Sequence, residues 1–228
     1  MTEEAGVAEE GVAEEGVAER RRDAARTRAD LLAVATTEFA DHGFSGARVD
    51  EIAARTRTTK RMIYYYFGSK RGLYLAVLEH AYAGIRVLEA QLEVEHLDPA
   101  RAMRALAELT FDHHESHPDF VRLVAIENIH RAEHLRTSEA LAGLAAPAVD
   151  VLGGILERGH AAGLFRADVD ALDVHMVISA FCIFRLANRH TFQAVFDRDL
   201  LDPDRRAHYR RMVGDLVLEY LTAHVGRA

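Results

Sequence analysis

The chain has 228 residues, 49% of them hydrophobic and 28% charged, which suits one or two domains with a substantial core. Its single cysteine, Cys182, excludes an intrachain disulfide, and no run approaches the roughly 18 apolar residues of a membrane helix. With an acidic start that resembles neither a secretory signal nor a transit peptide, the expectation is a cytoplasmic protein with no membrane partner.

The net charge of −8 argues against nucleic acid, but its distribution reverses that reading. Residues 1–19 carry seven Glu and no Lys or Arg. Residues 20–71 carry twelve Lys/Arg against six Asp/Glu, and the remainder is acidic again. A basic segment within an acidic chain fits a phosphate-facing surface, or equally a solvated basic face.

Residues 6–20 repeat with a period of five, the repeats starting at Gly6, Gly11 and Gly16. Five matches neither a helical nor a strand face. A Gly in each repeat and like charges lead to a disordered acidic tail over 1–22, with a frayed helix as the alternative. A helix is expected from about Arg26 to Asp41, with Leu31, Leu32, Ala35, Phe39 and Ala40 on one stripe and Gly43 as its stop. A short second helix spans about Val49 to Arg55, with Asp50 and Glu51 complementing its first-turn dipole. Thr56, Arg57 and Thr58 form a turn, and Thr59 caps a third helix from Lys60 to about Phe67. Gly68 ends it and Ser69 caps a long fourth helix, Lys70 to about Glu93, with Leu73, Val77, Ala81, Ile85, Leu88 and Leu92 inward. Beyond Pro99, helices are expected near 100–116, 118–131, 137–162 (kinked or split at Pro147), 170–190 and 204–224. The fold class is therefore all-α.

Two short helices joined by a tight turn and braced by a preceding helix form a helix-turn-helix, whose second helix offers its first residues to base edges in the major groove. Lys60 and Arg61 stand at that end, Ile63 and Phe67 anchor the inner face, and Tyr64 and Tyr65 are amphipathic groups that meet a base or a phosphate. Arg28, Arg48, Lys70 and Arg71 are placed near helix starts, where side chains and backbone N–H groups grip phosphates together.

The stretches Ala40-Asp-His-Gly-Phe-Ser-Gly46, Val49-Asp-Glu-Ile-Ala53, Tyr64-Tyr-Tyr-Phe-Gly-Ser-Lys70 and Leu73-Tyr-Leu-Ala-Val-Leu78 resemble the N-terminal signature of the TetR regulators over about residues 26–80. The resemblance implies an N-terminal helix-turn-helix domain over 23–70. It also implies a C-terminal helical ligand-binding and dimerisation domain over 71–228. The protein would be a ligand-responsive repressor that binds a palindromic operator as a homodimer. It makes Lys60, Arg61 and Tyr64 groove-facing, and Arg48, Thr59, Tyr65 and Lys70 phosphate contacts. Three positions depart from the family: Ala47, where Ser or Thr would cap the second helix at about 1 kcal/mol; Arg57, where Gly is favoured in the turn; and Arg61, where a small residue is common. An arginine there reads a guanine bidentately, holds a phosphate or is a solvated charge.

In the C-terminal half, Phe111-Asp-His-His114, His117-Pro-Asp-Phe-Val-Arg-Leu-Val124, Glu127-Asn-Ile-His130 and Ala187-Asn-Arg-His-Thr-Phe192 are similar to a subgroup that includes regulators of pyrimidine and nicotinate breakdown. An unidentified small-molecule effector is expected in a mostly apolar pocket with a few polar groups: Phe111, His114, Phe120, Leu123, Glu127, His130 and Phe181. Each of these also fits an ordinary core or surface role. The thirteen histidines raise a metal site, with His113, His114 and His117 at suitable spacing, but His117 precedes Pro118 at a helix end and ordinary structural roles are favoured. No metal and no cofactor is expected. The helix around Val174–Phe184 is apolar nearly all round, so one side serves its own core. The other serves a partner copy, together with Met212, Val213, Leu216, Val217, Tyr220 and Leu221. With no nucleophile elbow or Gly-rich phosphate loop, an enzyme is not expected and no catalytic residue is assigned.

Overall fold

The structure, a computed structural model, describes residues 3–143 and 146–223, with side chains at residue 19 and from 21 onward except 146–148. Those residues form helices α1 (Glu3–Gly46), α2 (Val49–Arg55), α3 (Lys60–Phe67), α4 (Lys70–Gln91), α5 (Pro99–Ser116) and α6 (Pro118–Ile129). A 3-10 turn at Leu135–Thr137 follows, then α7 (Glu139–Gly143), α8 (Ala146–Ala161), α9 (Ala171–Ala187), α10 (Arg189–Phe196) and α11 (Pro203–Thr222). No strand occurs among the described residues. Two compact units divide after Val77.

In the N-terminal unit the expected apolar stripe of α1 is the core: Leu31, Leu32, Ala35, Phe39 and Ala40 are buried, joined by Val49, Ile52, Ala53 and Ile63. Gly43 leaves the helical region at φ 67° and turns the chain, a conformation costly for residues with a Cβ. The tail expected over 1–22 meets helical backbone from Glu3 onward; residues 1–2 and the side chains up to residue 18 lie outside the described residues. Ala and Glu between the glycines are strong helix formers, at a cost of about 1 kcal/mol for each Gly. The units divide seven residues later than expected because the first turns of α4 belong to the N-terminal core. Tyr74 is fully buried, its ring 4.8 Å from Phe39 and 5.3 Å from Phe44.

The start of α2 is held in a way the residue types at 47 and 48 do not announce. Its N-cap is Arg48, whose side chain makes no capping bond. The buried Glu38 of α1 instead accepts the Arg48 backbone N–H at 3.0 Å and places its carboxylate near Arg55 at 3.8 Å. A carboxylate at a helix N-terminus satisfies an orphan donor and complements the dipole. Ala47 is itself buried, so the missing cap is replaced from a neighbouring helix.

Arg57 does adopt the conformation for which glycine is favoured, at φ 53°. A left-handed residue with a Cβ costs about 1–2 kcal/mol. Arg57→Gly is therefore expected to raise stability by about 1 kcal/mol, part of the gain being offset by the entropy glycine loses on folding. A urea midpoint no higher than wild type would refute this.

The C-terminal unit is built around α5, which packs against α11, α9 and α8. Its core includes Met103, Leu106, Phe111, Ile155, Phe165, Val174, Ile178, Cys182, Val213 and Leu221. Asp98, Asp170 and Asp202 cap α5, α9 and α11 through backbone N–H groups, the first and last with Pro at the following position. The helix expected over 137–162 is two helices, α7 and α8, with Pro147 in the first turn of α8, where a missing N–H costs nothing. The helix α10 lies where no helix was expected. Cys182 is buried, its thiol pushed up to about 12 by desolvation, so it is an inert packing group.

Candidate nucleic-acid interface and effector site

The helix-turn-helix is α2, the turn and α3. Thr59 accepts the Met62 N–H at 3.3 Å, and the fully buried Ile63 anchors α3. Gly68 closes α3 at φ 74°, and Ser69 caps α4 by accepting the Gly72 N–H at 3.0 Å. This fixes the rotation of α3, leaving Lys60, Arg61 and Tyr65 exposed and Tyr64 half-buried. Lys60 pairs with Asp50 at 3.1 Å on the surface. Arg61 makes no hydrogen bond or ion pair among the described residues. Arg48 is exposed, and Lys70 donates to the Ser45 carbonyl at 3.3 Å with its ammonium 5.2 Å from the Phe44 ring centre.

Six of the seven residues expected at DNA thus lie on α3 or next to its ends, while Arg48 is the N-cap of α2; Met62 is exposed among them, an apolar residue that carries no hydrogen-bonding signal. Arg28 differs from expectation. Because α1 begins at Glu3, Arg28 is in mid-helix, and its guanidinium sits 5.2 Å from the Phe67 ring centre rather than at a helix start.

The residues expected around an effector separate. His114 and Phe120 come together, their rings 5.3 Å apart, and Phe120 meets Tyr82 edge-on at 5.1 Å. Leu123 is fully buried. Glu127 is 1% exposed and is spent on structure, accepting from the His134 ring at 3.1 Å and from the backbone N–H groups of His134 and Leu135 at 3.3 and 3.2 Å. Its carboxylate thereby holds a loop in which Arg131 and Ala132 are both left-handed, at φ 58° and 57°. His130 caps the end of α6 and is exposed, so it is not part of this cluster. Phe111 belongs to the core, with the Arg185 guanidinium 4.1 Å from its ring centre, and Phe181 packs half-buried against that core.

Sequence reasoning missed Tyr82, Arg86 and Glu89 of α4 and His175 of α9. The spacing of 82, 86 and 89 flanks the inward Ile85 and was the available signal. Arg86 and Glu89 form a buried ion pair at 2.6 Å, their side chains 12% and 6% exposed. Burial raises the Glu89 carboxyl despite Arg86, and raises the Tyr82 hydroxyl with a further contribution from Glu127.

The histidines are committed singly. His114 donates from Nδ1 to the Thr110 carbonyl at 2.7 Å, and His117 from Nδ1 to the His113 carbonyl at 2.9 Å. The His113 and His117 rings stack at 4.3 Å. Among the described residues no three His, Cys, Asp or Glu groups are arranged to hold a metal. Burial lowers His113 to about 3, with His117, His114 and Arg86 adding to it, and lowers His114 to about 4 against its Thr110 bond. Both imidazoles take up protons more readily in the unfolded chain, at about 6.5. The stability they allow is complete above that value and is lost as pH falls through the window toward 4. The slope there is about 1.4 kcal/mol per pH unit for each ring. Urea unfolding at pH 7.5 and 5 checks this; a wild-type midpoint as high at pH 5 as at 7.5 would remove the effect, and His113→Gln with His114→Gln should flatten the profile.

No single helix among the described residues is long and apolar enough to cross a membrane. The bacterial regulatory protein profile of the tetR family matches residues 31–77, and the tetracyclin repressor-like C-terminal domain matches residues 99–217. The HTH-type transcriptional repressor NicS of Pseudomonas putida is 40% identical over 202 residues, covering 89% of this chain and 95% of its own. The HTH-type transcriptional regulator RutR of Escherichia coli is 29% identical over 110 residues, 47% of this chain and 50% of its own. A crystal structure of a regulator, SCO4942 from Streptomyces coelicolor, superposes with a TM-score of 0.63 at 31% identity, covering 83% of this chain and 97% of that one. With an all-helical fold, a helix-turn-helix in its N-terminal unit and both halves matched in order, the chain belongs to the TetR family of DNA-binding transcriptional regulators, which are not enzymes.

Proposed function

We propose that this regulator binds a two-fold symmetric operator as a homodimer and acts in the cytoplasm as a repressor that lets go when a small molecule enters its C-terminal unit. The observation that carries the DNA reading is the exposed cationic start of α3, with Lys60 and Arg61 outward over a buried Ile63. Tyr64 and Tyr65 extend that face, and Arg48, Thr59 and Lys70 flank it as phosphate contacts. Repression follows the reading of the 40% identical NicS, a repressor by name.

The dimer reading rests on large apolar side chains left exposed on two helices: Leu172, Met176 and Phe184 on α9, and Met212, Leu216 and Tyr220 on α11. Six such groups on one pair of helices are more than scattered surface residues and suit a self-complementary face.

Recovery of genomic fragments by the purified protein tests both parts. The fragments are expected to share a motif with two inverted halves about one helical turn apart or a multiple of it. Met176→Glu with Leu216→Glu should give a folded monomer in light scattering that no longer retains those fragments. Fragments without inverted halves, or a double variant that stays dimeric, would overturn the symmetric-dimer reading.

A further inference from the structure

The interior of the C-terminal unit holds more charge and imidazole than a helical core requires. Helix α4 contributes Tyr82, Arg86 and Glu89, α5 contributes His113 and His114, α6 contributes Phe120, and α9 contributes His175. Arg86 spends Nη1 on Glu89. Among the described residues Nε and Nη2 of the same guanidinium make no hydrogen bond, leaving one edge of the fork uncommitted. His113 is 3% exposed, and its Nδ1 is a buried polar atom with no partner.

The orphaned imidazole nitrogen is costly unless something occupies it, and the free guanidinium edge beside it is open to a ligand. Burial and the Arg86 charge keep His113, His114 and His175 neutral, so Arg86 is the cation that faces an incoming group. A cationic ligand meets that charge unfavourably, and a neutral one leaves the fork edge unmatched. A carboxylate takes Nε and Nη2 as a planar pair, the geometry for which arginine is suited. The His113 Nδ1 supplies a further donor in its Nδ1–H tautomer. The rings of Phe120 and Tyr82, 5.1 Å apart, offer an apolar wall to the rest of such a molecule. Glu89 already stands on Arg86 Nη1 as the chain's own carboxylate, so its charge offsets the attraction of the same guanidinium for a second carboxylate.

We propose that this interior binds a small carboxylate with an apolar body, held by Arg86 and contacted by His113. The proposal rests on the reading of the chain as a ligand-responsive regulator and assigns the class of ligand.

The test uses the full chain and two acid–amide pairs, benzoate with benzamide and hexanoate with hexanamide, in titration calorimetry. At least one acid should bind, with its amide about tenfold or more weaker. Glu89→Gln should tighten acid binding about tenfold by removing the carboxylate charge that offsets Arg86, with no change for the amide; a purely structural pair would show no such gain. Arg86→Gln with Glu89→Gln removes both charges together, so no unpaired charge is buried, and it should erase the preference for acid over amide while circular dichroism stays native. Failure of both acids to bind, amides equal to acids, or an acid preference that survives the double variant would each overturn the proposal. Acids that bind through Arg86 but leave bound DNA in place would support the site and count against ligand-responsive release. Release by another compound with no acid binding would do the reverse.

Discussion

Replacing Lys60 and Arg61 together by alanine is expected to lower affinity for the recovered operator about 100-fold or more, with the dimer intact. Both side chains are exposed at the start of α3, where a reading helix meets base edges. Each good bidentate base contact contributes about 1–3 kcal/mol of discrimination, and a symmetric dimer loses every contact twice. The Lys60–Asp50 pair does not oppose binding strongly. Its side chains are 48% and 62% exposed, and a pair that open is worth about 1 kcal/mol at most. Neither residue is part of the buried core, and alanine is at home in a helix, so stability should hold. Anisotropy titrations over a salt series divide the roles further. A residue that grips a phosphate lowers the slope of log affinity against log salt by about 0.9 when removed, whereas a base contact relaxes sequence preference and leaves the slope. Wild-type affinity in the double variant would take α3 out of the groove.

The N-terminal unit was legible because its determinants are local. Gly43, Thr59, Gly68 and Ser69 act on their own helix ends, and the stripe from Leu31 to Ala40 follows helical spacing, so order and spacing carry the structure. The start of α2 was not legible, since its donor is met by Glu38, ten residues earlier on another helix. The C-terminal interior was legible only in part for the same reason. His114 and Phe120 are close in sequence and their rings meet in the fold, but Arg86 and Glu89 look like an exposed i,i+3 pair on paper and are largely buried in the fold. Glu127 has bonds that its own stretch of chain does not show. It has the composition of a ligand contact, and the fold spends it on a loop. The helix α10 was missed because its aromatic side chains, Phe192 and Phe196 at 4.7 Å, pair with each other and with Phe184 rather than form a buried stripe.

Arg185→Ala is expected to cost about 3 kcal/mol of stability and to lower the unfolding temperature by several degrees. Arg185 is 3% exposed, donates to the Leu200 carbonyl at 3.0 Å, pairs with Glu115 and covers the Phe111 ring. Glu115 is not stranded by the change, since Arg206 holds its other oxygen at 3.0 Å. Arg206 and Arg210 in turn bind Asp112 at 2.7 and 2.9 Å, so the charge ladder between α5 and α11 survives. What alanine leaves is a cavity over Phe111 and an unpaired Leu200 carbonyl, which places the cost at the low end for a broken buried pair. Arg185→Met separates packing from charge. It keeps an apolar stem over Phe111 and removes the buried Nε, which has no partner, so it should cost no more than about half as much. Thermal unfolding at one protein concentration compares the two, because dimerisation otherwise shifts the midpoint. If methionine destabilises as much as alanine, the Glu115 and Leu200 bonds, and not the covering of Phe111, are what Arg185 contributes to this fold.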